Sequence, residues 1–80
     1  MNLQTTRWLD ELKIALLQKD EKRAFELSVN LPDDLLQTPL ESKLQARELL
    51  SQVIRLLEQK KQESKHAMQQ IRAAQAFLQN

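Results

Sequence analysis

Cysteine and glycine are both missing from these 80 residues, and each absence closes a route to a stable fold. Without Cys there is neither a disulfide framework nor a thiolate metal site. Without Gly and Tyr, a sheet-based fold lacks its turn residues and much of its strand chemistry. Aromatics are limited to Trp8, Phe25 and Phe77, and proline to Pro32 and Pro39. No apolar run approaches ~18 residues, so no membrane insertion is expected. The first residues do not show the basic-then-apolar pattern of a secretory signal. These absences lead to the expectation of an all-α, cytoplasmic protein.

So short a chain has difficulty burying enough surface to fold strongly alone. Reinforcement must come from well-matched helix packing or from another chain. The net charge of +1 supplies no bulk field toward nucleic acid or membrane. The charge is nonetheless uneven. Residues 1–54 hold seven Lys/Arg against nine Asp/Glu, a net of −2, and residues 55–80 hold five against two, a net of +3.

The hydrophobic periodicity predicts a first helix over 3–18, with Leu9, Leu12 and Leu16 on one face beside Trp8 and Ala15. Ile14 and Leu17 widen that stripe, as on a helix covered on more than one flank. Trp8, the largest apolar group available, reads as a core or interface residue. After the polar stretch QKDEKR (18–23), Asp20 suits the N-cap of a second helix over 21–30 that buries Ala24 and Leu27, with Leu31 just beyond. A tight turn at Lys19-Asp20 or a kink in one continuous helix would both fit. Pro32-Asp33-Asp34 reads as a turn, and Leu35-Leu36 as an apolar plug in the connection 31–38.

Thr38-Pro39-Leu40-Glu41 matches a capping box with Pro at the first helical position. Neither Pro nor Gly follows, so one helix over 39–79 is predicted, ~60 Å long at 1.5 Å per residue. Its apolar seam runs through Leu50, Ile54 and Leu57, lapses over the polar waist EQKKQESKH (58–66), and returns as Ala67, Met68, Ile71, Ala74, Phe77 and Leu78. A sustained coiled coil does not normally carry such a gap. The N-terminal helices are too short to cover the far end, which leaves an exposed stripe of the kind that marks an interface. The architecture expected is one domain over 1–80, a helical hairpin or three-helix bundle with one long C-terminal helix, dimerising by coiled-coil-like packing. Met68, Ile71, Ala74, Phe77 and Leu78 are the candidate partner-binding residues, with Arg72 steering an acidic partner.

Catalytic chemistry is not expected. His66 is the sole histidine and reads as a solvated helical side chain. One His and no Cys cannot assemble a metal centre, a cofactor site or a nucleophile–base pair. Lys60, Lys61, Lys65, His66 and Arg72 could meet phosphates but lack interleaved aromatics, so nucleic acid is not expected. Residues 12–32 have the small-and-aromatic pattern of one tetratricopeptide-type repeat, which does not recur, so a solenoid is excluded.

Trp8-Leu9-Asp10-Glu11-Leu12 in a first amphipathic helix, a short second helix after a polar turn, and a closing run from Met68-Gln69-Gln70-Ile71 to Phe77 form a recognisable pattern. It resembles the small cytoplasmic chaperones of flagellar export that escort filament-cap and hook-associated proteins. Phe77 stands where those proteins commonly carry Tyr. The resemblance implies an apolar groove that binds helical ends of an export substrate. The turn at Pro32-Asp33-Asp34 is also similar to that of type III secretion needle subunits, which implies a self-assembling alternative. A structural homodimer, in which the stripe packs on its symmetry mate, is the other competing reading.

Overall fold

Among the described residues, four α-helices carry the chain: α1 (Leu3–Leu17), α2 (Glu21–Val29), α3 (Leu40–Gln59) and α4 (Lys65–Phe77), with a 3-10 turn at Leu35–Gln37 between α2 and α3. The structure is a computed structural model that describes residues 3–60 and 65–78. All regular structure among the described residues is helical, and the fold is an all-α bundle.

α1 ends in a left-handed turn made without glycine. Lys19 adopts φ 54°, which lets its amide bond the Leu16 carbonyl and the Asp20 amide bond the Ala15 carbonyl, at 3.1 and 2.9 Å. That pair of bonds is a Schellman closure, which usually places Gly at the left-handed position. Asp20 then serves the next helix too, its carboxylate accepting from the Arg23 amide at 3.1 Å. The chain therefore turns, rather than kinks, between α1 and α2. The two helices run antiparallel: the Trp8 indole donates to the Leu27 carbonyl at 2.8 Å, and Arg23 pairs with Glu11 at 2.9 Å.

Leu35 drops into the core while Leu36 stays exposed, so the apolar plug is half used. At its far end lies a first correction. Thr38 does not cap α3; its hydroxyl donates back to the Leu35 carbonyl at 2.6 Å, and α3 starts with no side-chain cap. A closer acceptor within the 3-10 turn has won the hydroxyl, as local side-chain bonds often do.

The second correction is larger: no single helix runs from 39 to 79. α3 stops at Gln59 and α4 starts at Lys65, so the break falls within the polar waist, whose residues 61–64 lie outside the described residues. The longest dimension of the molecule is 37 Å, too short for a ~60 Å rod. The Gln75 amide donates to the Arg47 carbonyl at 3.2 Å and the Ser51 hydroxyl at 2.6 Å, while Ala67 shares a cavity wall with Leu57. α3 and α4 are therefore an antiparallel hairpin, and α4 also packs on α2. This register sets Ile71 level with Val53 and Ile54, and Leu78 level with the small Ala46.

Energetics explain the fold-back. Extending a solvated helix gains only ~0–0.3 kcal/mol per residue from good helix formers. Burying Ile71 and Leu78 stabilises by about 1.5–3 kcal/mol each, and Met68 and Ala74 pack against the same core. That core is one cluster drawing on all four helices. No buried side-chain nitrogen or oxygen among the described residues lacks a partner. Thr5 and Ser28, both buried, donate to the Asp34 carboxylate at 2.5 Å and the Ala24 carbonyl at 2.7 Å.

Candidate functional site

The six residues singled out on the C-terminal stripe divide into three groups. Ile71 and Leu78 are buried in the molecule's own core, Met68 and Ala74 pack partly against it, and Arg72 and Phe77 face solvent. The overhang that would have offered them to a partner does not exist. Trp8 belongs to the same core, tied to α2 through its indole.

The apolar surface left uncovered lies elsewhere. Ile14 and Leu17 on α1 are exposed, Leu17 to 84 %. Leu36, Leu40, Leu44 and Phe77 are exposed as well, the leucines near the start of α3 and Phe77 at the end of α4. Leu40 and Leu44 share a helical stripe with Arg47 and Ser51, the two positions that Gln75 of α4 bonds. α4 covers that stripe from Arg47 onward and leaves its first two leucines open.

Of the two, the surface beside Leu17 has the shape of a site. Two adjoining cavities of about 370 and 240 Å³ run between α1 and α3 and share Leu16 and Gln52. Lys13, Leu17 and Leu49 line one end, and Lys19, Arg55, Leu56 and Gln59 the other. The pairing of Lys13 with Leu49 and of Lys19 with Gln59 shows that α1 and α3 run parallel along this groove. Leu49 and Leu56 are buried and make the floor with half-buried Leu16; Leu17 forms a wall. From Leu49 to Gln59 the groove extends ~15 Å along α3, about three helical turns. Among the described residues, three cations line it and no carboxylate does. α2 packs on both walls of this groove from within the bundle.

His66 is exposed at the start of α4. No cluster of three His, Cys, Asp or Glu among the described residues could hold a metal ion. Asp34 serves as the acceptor for Thr5. Among the described residues, no helix is long and apolar enough to cross a membrane. Comparison with protein-family models, curated proteins and solved structures finds no match.

Sequence reasoning placed Ile14 and Leu17 at the edge of the α1 stripe but did not pick them as site residues. The signal was the width of that stripe, which asks for cover on two flanks. Leu49 and Leu56 belong to the apolar surface of the expected long helix. That they floor an open groove depends on how α1 lies against α3.

Proposed function

We propose that this chain is a non-enzymatic protein-binding module, acting as a cytoplasmic export chaperone that holds a helical end of a secretion substrate. The observation that supports this reading is the groove between α1 and α3, apolar along its floor and three helical turns long. Such a groove suits an amphipathic helix inserting side chains at i, i+3, i+4 and i+7. The likeness of residues 8–12 and 68–77 to flagellar export chaperones points to the same class of client.

The test is a titration of the labelled protein with synthetic peptides spanning the terminal helical segments of filament-cap and hook-associated proteins, followed by amide chemical shifts. Saturable shifts at Leu16, Leu17, Gln52 and Arg55 are the expected result. The absence of any saturable shift up to ~1 mM peptide, where a complex of only about −4 kcal/mol is half formed, counts against the reading.

A structural homodimer is the second reading, and one observation favours it: the exposed residues Leu36, Leu40, Leu44 and Phe77 lie apart from the groove lining. Sedimentation equilibrium on the wild type and on Leu40→Asp/Leu44→Asp tests it. A dimer that the double substitution dissociates would establish self-association through this face.

A further inference from the structure

We infer that the α1–α3 groove selects an acidic amphipathic helix: one apolar stripe flanked by Asp and Glu, from a partner chain rather than from a second copy. This rests on the protein-binding reading and names the chemistry of the partner. Lys13 and Lys19 stand on the α1 side and Arg55 on the α3 side, with Gln52 and Gln59 between as neutral hydrogen-bonding groups. Among the described residues, no carboxylate lines either cavity. Asp20 is engaged as the α2 cap, Glu11 pairs with Arg23, and neither Asp10 nor Glu48 lines the groove.

The cations bracket the apolar floor on both sides, so a helix seated there has both of its flanks beside positive charge. Carboxylates on those flanks gain attraction and a faster encounter, whereas lysines there meet like charge at close range. A second copy fits this pattern less well. The exposed leucine stripe of α3 at Leu40 and Leu44 has Glu41 and Glu48 on one flank but Lys43 and Arg47 on the other, so it would bring cations against cations.

The probes are two model amphipathic helices with the same leucine stripe, one flanked by Glu and one by Lys, titrated against the full chain at low salt. The Glu peptide should bind at least tenfold more tightly, and its advantage should shrink as salt shortens the screening length from ~30 to ~3 Å. Lys13→Glu/Lys19→Glu/Arg55→Glu should reverse the preference, and its circular dichroism shows whether the bundle is intact. If that variant does not fold, Arg55→Glu alone, at an exposed position, should lower the preference several-fold. Equal affinity for both peptides, or shifts that map to Leu36, Leu40 and Phe77, would overturn the assignment. So would a dimer whose groove resonances broaden without peptide, because the occupant would then be a second copy. If neither model peptide binds while the export-substrate segments do, this inference fails and the protein-binding reading stands.

Discussion

Ile71→Ala separates the folded-back hairpin from a projecting helix more cleanly than any other single substitution. Ile71 is 0 % exposed, level with Val53 and Ile54 of α3, and belongs to the one core cluster. Truncating such a side chain removes its transfer free energy and leaves a cavity, at a cost of about 2–5 kcal/mol. On a projecting helix the same change would expose less apolar surface, and Ala is the better helix former, so stability would move by no more than ~0.5 kcal/mol. A domain of this size has about 4–12 kcal/mol of stability in total. A loss of about 3 kcal/mol would lower the melting temperature by roughly 12–24 °C. Urea unfolding followed both by helical circular dichroism and by Trp8 fluorescence is the assay. Trp8 lies on α1, the helix that does not pack extensively on α4, so a matching midpoint shift from both probes would show that α4 melts with the rest of the bundle. A change below ~0.5 kcal/mol by either probe would refute the hairpin. Phe77→Ala is the internal control: at 55 % exposed, it should cost less than half as much.

Three further substitutions test the joints of the bundle. Lys19→Gly should stabilise by about 0.5–1 kcal/mol, because the left-handed backbone that Lys19 holds strains a Cβ and not a glycine; an unchanged urea midpoint would contradict the turn. Trp8→Phe should cost about 2 kcal/mol through the lost bond to the Leu27 carbonyl and lost packing, read from the same unfolding curves by circular dichroism. Gln75→Ala should cost about 1–2 kcal/mol by removing two bonds between α4 and α3; a neutral result would mean that the register at Arg47 and Ser51 is wrong.

The all-α class was legible because composition alone removes the alternatives. The inward face of α1 was legible because Leu9, Leu12 and Ala15 recur at helical spacing and Trp8 joins them. The hairpin was not, and the reason is physical. Helix propensity is local and differs among good formers by tenths of a kcal/mol, so a run of Glu, Gln, Lys and Ser shows no stop signal. What ends α3 is the burial of Ile71, 17 to 18 residues along the chain from Val53 and Ile54, and of Leu78, 32 from Ala46, a non-local gain of several kcal/mol. The waist was visible as a gap in the seam, and the seam itself is real: Leu50, Ile54, Leu57, Ile71 and Leu78 are all buried. It closes on itself across the waist instead of on another chain. The Thr38 capping box failed for a related reason, since sequence spacing could not reveal a competing carbonyl at Leu35.

An exposed leucine is ordinary on a protein surface, and Leu3 asks for no explanation. Leu17 differs in its surroundings: it lines a cavity with Leu49 and Lys13 that adjoins the one lined by Leu56, Lys19 and Arg55. Its contribution to the fold and its contribution to binding can be pulled apart. At 84 % exposed, Leu17 has little burial to lose, so Leu17→Ser should leave the urea midpoint within ~0.5 kcal/mol of the wild type. The same substitution removes a groove wall and should weaken the Glu-flanked peptide about tenfold, since an apolar side chain buried on binding is worth about 1.5 kcal/mol or more. A destabilisation above ~1 kcal/mol would mean that Leu17 already packs within the bundle and that the groove is closed there. Unchanged stability with unchanged peptide affinity would mean that the groove is open but that the partner helix does not use it. Only the combination of an intact fold and weakened binding identifies Leu17 as a residue whose apolar surface serves a partner rather than the core.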